Sequence, residues 1–337
     1  MKAAVYKGIH EINIEDLHDP EMGPSDVLVK PSYVGICGSD LSAWEYGMYE
    51  GGVVIGHEFA GKVVDVGPEV ENFASGDNVV PNSLLPCMEC RYCRTERYSL
   101  CENMQMVGIS MNGGMAELVS LPESIFYKLP ADTDMRNAAF IEPLSIVIRG
   151  FKRASISPDL SALILGAGPI GLLSLLYAKF IGIDSVLVSE VKKGRLNLAS
   201  SLGATHSINP TETPLALKLE SLTKNKGVDL VVECSGAPEP TAESFSLVNR
   251  GGKILVIGIC EEPIEADFMT GVLNELTIDF SYLGYAEFPE AIDLITNDKI
   301  DVSPLISRVI SLENIVQEGF ESLMSTECED VKILIEI

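Results

Sequence analysis

Residues 161–183 read SALILGAGPIGLLSLLYAKFIGI. Whether this apolar run crosses a membrane or folds in water decides what the rest of the chain can be. It is long enough to span a bilayer. Gly166, Gly168, Pro169 and Gly171 nevertheless divide it early, and Lys179 lies near its far end. A short buried strand, SALIL, followed by a buried helix therefore fits better than one continuous helix. Between them GAGPIG fits G-x-G-x-x-G, placed after a strand and before a helix, the context in which that turn cradles a dinucleotide pyrophosphate. Gly166 permits the tight turn, Gly168 the approach of the pyrophosphate, and Gly171 close helix–sheet packing. Pro169 and Ile170 open the helix whose free N–H groups face the phosphates. The next strand, SVLVSE, ends in Glu190, 19 positions after Gly171. A carboxylate there accepts from both ribose hydroxyls and repels a 2′-phosphate, which predicts NAD over NADP. Arg195, beside that acid, reads as a contact to the ribose or its neighbouring phosphate.

Outward from this motif the texture is uniform for more than a hundred residues. Strands (SALIL, SVLVSE, VDLVVE, GGKILVIGI) alternate with helical segments, the signature of an α/β fold with a doubly wound parallel sheet. Upstream the chain differs, with short strands punctuated by glycine and proline: AAVYKG, INIEDL, DVLVKPSYVGI, FAGKVVDVG, DNVV and AELVSL. The tail carries a helix (PEAIDLITNDK), a strand (SRVISLE), a helix (NIVQEGFESLM) and a closing strand, VKILIEI, which suggests a return to the first domain. The expected division is a β-rich domain over 1–147, a coenzyme domain over 148–286, and a return over 287–337.

The 337 residues suffice for two domains, and 46% apolar with 22% charged residues suits a water-soluble globular protein. Basic residues number 24 against 49 acidic, a net charge of −25, which argues against nucleic acid or an anionic membrane as partner. The N-terminal MKAAVYKGIHEINIED has no apolar signal segment, and the expected location is the cytoplasm.

Four of the eight cysteines cluster as PCMECRYCRTERYSLC, with Cys87, Cys90, Cys93 and Cys101 spaced C-x2-C-x2-C-x7-C. Four thiolates this close can enclose one tetrahedral zinc with no vacancy for substrate, a structural site pinning a lobe over about residues 86–102. An iron–sulfur cluster is the rival. Its short-spaced motifs end in Cys-Pro, whereas Glu102 follows Cys101 here. A second set is dispersed: Cys37 in GICGSD, His57 and Glu58 in GHEFAG, and Glu142 in AAFIEPLSI. Cysteine, histidine and carboxylate are ligands of a catalytic zinc that keeps a position open. Singly, each residue has a plainer reading, such as a small buried thiol or a core histidine satisfied by its neighbouring acid.

Taken together, these motifs resemble the zinc-dependent medium-chain alcohol dehydrogenases over essentially the whole chain. GHEFAGKVVDVGPEV is similar to the family's zinc signature, with Gly56, His57, Glu58, Gly61, Gly67 and Val70 in its fixed positions. IEPLS resembles the polyol and butanediol branch, where Glu142 stands in place of a cysteine ligand. The resemblance implies a β-rich GroES-like catalytic domain beside a Rossmann NAD-binding domain, two zinc ions per chain, and a catalytic zinc on Cys37, His57 and Glu58 or Glu142. It implies hydride transfer between a secondary alcohol (polyol, vicinal diol, sugar alcohol or its phosphate) and NAD. Ser39 would take the alcohol proton, and Asp40 would orient His57. One departure is Ser42, which stands where many relatives carry a histidine that passes the proton outward. Water or the nicotinamide ribose is expected to replace it. Trp44, Tyr46, Met48 and Tyr49 follow in the same loop and receive no role. ELTIDFSYLGY, residues 275–285, matches the edge where relatives pair coenzyme domains, which implies a homodimer or homotetramer. The competing readings are a threonine-dehydrogenase type, an NADP-linked ketone or aldehyde reductase, and a non-catalytic zinc- and nucleotide-binding relative.

Overall fold

The fold is that of a computed structural model, which describes residues 1–223 and 227–337. The chain divides into two compact units, Met1–Glu142 with Phe288–Ile337, and Pro143–Glu287. It passes from the first to the second within the helix Ile141–Arg153.

The first unit is built on a seven-stranded sheet. Its order is Ile306–Ser311, Lys332–Glu336, Asp26–Gly35, Glu58–Val66, Asn78–Pro81 and Phe126–Leu129, with Val119–Pro122 also paired to Asp26–Gly35. The central pair is antiparallel and sets Gly35 opposite Glu58, while Leu334 of the late strand faces Gly35 from the other side. Segments far apart in sequence thus meet at one end of one sheet. Beneath it lies an apolar core of Val27, Val29, Val34, Phe59, Met115 and Ile333.

The second unit is the doubly wound α/β sheet. Six parallel strands lie in the order His206–Ile208, Val186–Ser189, Ala162–Leu165, Val228–Glu233, Val248–Val256 and Thr277–Phe280. Numbered along the chain this is 3-2-1-4-5-6, with the reversal beside Ala162–Leu165, where such sheets bind dinucleotides. Ala162–Leu165 and Val186–Ser189 are buried throughout, as strands covered on both faces must be. The apolar run 161–183 therefore holds this strand and the twelve-residue helix Pro169–Phe180. Among the described residues no helix is long and apolar enough to cross a membrane. The edge segment differs from expectation: only Thr277–Phe280 is strand. Glu275 (φ 51°) and Leu283 (φ 60°) lie in the left-handed region, which an extended strand does not use, and they bracket it.

Candidate active site

Cys37 leaves the end of Asp26–Gly35 and precedes the helix Gly38–Tyr46, while His57 directly precedes Glu58–Val66. Because Gly35 and Glu58 are in register, the two residues emerge side by side. The Cys37 sulfur, a His57 nitrogen and a Glu58 oxygen lie within 4.8 Å of one another. Glu142, first-turn acid of Ile141–Arg153, is buried nearby but outside that set, and its Oε1 accepts the Ser83 hydroxyl at 2.9 Å. Burial, opposed by His57, pushes the Glu142 carboxyl up to about 7.

Asp40 lies between Cys37, His57 and Tyr49. Its Oδ2 accepts the Cys37 N–H at 3.0 Å, and its Oδ1 lies 3.8 Å from His57 Nδ1. Tyr49 Oη is 3.0 Å from Ser39 Oγ and 3.1 Å from Asp40 Oδ1. Burial works against charge on His57, yet the Cys37 and Asp40 charges raise its imidazole well above the usual range.

The sequence reading missed Lys332. This lysine is buried in the strand Lys332–Glu336, its ammonium donating to Glu58 Oε2 and, at 3.1 Å, to the Ile36 carbonyl. Gly35 makes room for the pair, since a Cβ there would meet Glu58 Oε2 at 2.5 Å. One signal was available in V-K-I-L-I: a lysine inside an apolar strand requires a buried counter-charge. Ser83, which holds Glu142, carried no such signal.

The donor set fits a divalent cation. The Cys37 sulfur, a His57 nitrogen and a Glu58 oxygen converge, and His57 Nδ1 is buried without a hydrogen-bond partner. A buried polar atom left unpaired is costly unless a ligand or ion meets it. Soft sulfur and nitrogen beside one carboxylate match zinc.

The second cluster is local. Cys87, Cys90, Cys93 and Cys101 place their sulfurs within 4.8 Å of one another. Cys90 and Cys93 sulfurs are 3.5 Å apart, far beyond a disulfide and near the ~3.8 Å edge of a tetrahedron with Zn–S bonds of about 2.3 Å. Backbone N–H groups of Cys87, Cys90 and Cys93 point at sulfurs of the set. That of Cys93, followed by the backbone N–H of Glu102, helps bring the Cys90 thiol down to about 6.

In the second unit Gly166 adopts φ 92°, and a Cβ on Gly171 would strike the Gly166 carbonyl. Gly168 caps the helix opened by Pro169 and Ile170, and a Cβ there would meet nothing, which leaves open the space a pyrophosphate needs. Glu190 Oε2 accepts the Ala167 N–H and Oε1 the Lys192 N–H, both at 2.8 Å, so the acid also braces the turn. Each oxygen keeps a second lone-pair direction for a ribose hydroxyl. Arg195 is half-buried in the first turn of Lys193–Ser201.

Comparison with known proteins agrees with this geometry. Residues 23–131 match the alcohol dehydrogenase GroES-like domain and residues 169–297 the zinc-binding dehydrogenase domain. The chain is 31% identical over 345 residues to the sorbitol dehydrogenase of Bacillus subtilis, covering 99% of this chain and 97% of that protein. Galactitol-1-phosphate dehydrogenase from Escherichia coli superposes with a TM-score of 0.92 at 27% identity, over 100% of both chains. A Sinorhizobium meliloti protein bound to NADP gives 0.93 at 30% identity, over 100% of this chain and 99% of that one.

Proposed function

This chain belongs to the zinc-dependent medium-chain alcohol dehydrogenases, and from that premise we propose that it oxidises a secondary alcohol of a polyol, sugar alcohol or its phosphate, with NAD as acceptor. The observation carrying this reading is the convergence of Cys37, His57 and Glu58 within 4.8 Å at one end of the sheet. Cys37, His57 and Glu58 would hold zinc there, and the metal would supply Lewis-acid polarisation of the substrate hydroxyl. The Gly166–Gly171 turn, Glu190 and Arg195 would hold NAD, which would supply the hydride acceptor.

The protein's own groups do the rest. Asp40 holds the imidazole of His57 and the backbone at Cys37. Lys332 fixes Glu58 in place, and Ser83 anchors Glu142 as the second carboxylate of the site. Ser39 Oγ accepts the alcohol's proton, which moves on to water at its half-exposed side. Alcohol and NAD become ketone, NADH and one proton. Each chain would hold two zinc ions, the second in the Cys87–Cys101 lobe. Sorbitol dehydrogenase and galactitol-1-phosphate dehydrogenase among the relatives support the polyol class.

NADP as coenzyme is the second reading, favoured by Arg195 and by the NADP-bound relative. We also place a second copy of the chain on the edge strand Thr277–Phe280, and the enzyme in the cytoplasm, where eight unpaired cysteines and a thiolate zinc lobe are stable. The decisive experiment measures zinc per chain and growth of the reduced-coenzyme band over a panel of polyols, diols, threonine and sugar phosphates, each with NAD and NADP. Two zinc ions with turnover of a polyol by NAD is the expected result. Full metal content with no turnover of any alcohol would leave a binding protein.

A further inference from the structure

The four-cysteine lobe is joined to the reaction centre at both of its stems. On the way in, Ser83 stands shortly before Cys87 and is buried. Its hydroxyl donates to Glu142 Oε1 at 2.9 Å, and its carbonyl accepts the Val107 N–H at 2.9 Å. On the way out, Val107 leads into Gly108, where a Cβ would meet the Gly56 backbone at 2.7 Å. The chain leaving the lobe therefore lies directly against the residue that precedes His57. Gly114 then donates its N–H to the Gly56 carbonyl at 2.8 Å, and Met115 donates to that of Ile55 at 2.9 Å. One stem ends on Glu142, the other on the backbone that carries His57.

Between lobe and centre lies a clip of two short strands, Leu84–Leu85 and Gln105–Met106, paired antiparallel. Two residues a side are too few to stay paired by themselves. Regular structure inside the lobe amounts to two single turns, Cys93–Thr95 and Tyr98–Leu100. The stems are instead brought together by the sulfur cluster, where the Cys87 N–H donates to the Cys101 sulfur at 3.2 Å. An ion held by the four sulfurs closes this loop and offsets the entropy of closing it, after which the clip forms at little further cost. With the lobe open the clip is marginal, and Ser83 and Val107 no longer hold each other.

We propose that the two metal clusters are energetically coupled: the closed lobe positions His57 and Glu142 through the clip, so that each cluster binds its cation more tightly when the other is filled. The proposal rests on the reading of both clusters as zinc sites.

The test titrates metal-stripped, full-length protein with Co(II), whose absorption separates a four-thiolate site from a one-thiolate site. Chelator competition reads the affinity at Cys37, His57 and Glu58, and retained NADH binding shows that the second unit is folded. Cys90→Ala with Cys101→Ala disables the lobe and should weaken Co(II) at the reaction centre at least about tenfold. A second variant keeps every ligand but lengthens both stems, with Gly-Gly inserted after Pro86 and again after Asn103. It should show unchanged four-thiolate bands and a reaction centre at least about fivefold weaker than in the unaltered chain. In that background the two cysteine changes should cost less than about twofold more. Unchanged affinity in the lobe-disabled protein, or an equal loss in both backgrounds, would overturn the coupling. Should the cysteine variant not fold, the lengthened-stem protein decides alone: affinity equal to that of the unaltered chain overturns the proposal. If the unaltered chain develops only one set of bands, it is the reading of two metal sites that fails.

Discussion

Lys332 is the side chain that most changes how the site is understood. A buried ammonium beside Glu58 fixes one carboxylate of a site that also holds a cysteine sulfur and two further acids. Lys332→Met would strand Glu58 as a buried charge, at a cost of about 3–5 kcal/mol. A bound cation compensates that charge, so the loss should be larger in chelated than in zinc-loaded protein, as calorimetry of the two forms would show. Glu142 supplies a pH dependence. With its carboxyl near 7 rather than the ordinary 4.5, the native state binds the extra proton, and stability of chelated protein should fall as pH rises from 4.5 to 7. His57, raised above 6.5, acts with the same sign: its contribution is full below 6.5 and is lost as pH rises through the raised value. Denaturant titrations of chelated protein should show that decline, flattened in part by Glu142→Gln and removed by zinc. At this scale the sequence displayed the metal-type residues, because Cys37, His57 and Glu58 are chemically conspicuous. Tyr49 was opaque, since reaching Ser39 depends on the path of the loop between them.

Among the elements, strand register does the assembling. Gly35 opposite Glu58 brings Cys37 and His57 together, and the absence of a side chain at Gly35 admits the Glu58–Lys332 pair. Gly35→Ala should push Glu58 aside at a cost of about 1–3 kcal/mol. The expected metal content is one zinc per chain, because the cysteine lobe is untouched; retention of both would contradict this. The Gly166–Gly171 turn, with its strand and helix, was readable from spacing alone because all its parts are contiguous. The seven-strand order was not, because Lys332–Glu336 joins Asp26–Gly35 from the far side of an inserted domain. NIVQEGFESLM reads as an ordinary helix, but Ile315–Glu321 is wound as a π-helix. Apolar periodicity does not separate i→i+5 from i→i+4 winding.

For the molecule as a whole, the sheet of the second unit ends in Thr277–Phe280, which among the described residues pairs with one strand only. Phe268, Met269, Val272 and Leu273 of the adjoining helix Phe268–Leu273, and Phe280 of the strand, are 67–75% exposed. Apolar side chains so concentrated beside a free edge are suited to a second copy. Phe280→Asp adds one more negative charge per chain to a protein already at −25, and should shift the species seen by light scattering toward the monomer. An unchanged oligomer would place the interface elsewhere.

The pair that completes the site also sets a schedule for making it. Glu58 and Lys332 are 274 residues apart, so at ribosomal speeds of about 5–20 residues per second the glutamate waits roughly 14 to 55 s for its lysine to be synthesised. Cys87 and Cys101, only 14 positions apart, wait for almost nothing. The four-sulfur lobe can capture its ion while the chain is still being translated. Cys37 and His57 spend the same interval without the strand whose lysine pairs with Glu58. Were both sites filled by zinc as proposed, loading would be ordered in time, and a cell short of zinc during synthesis would accumulate protein with a filled lobe and an empty reaction centre.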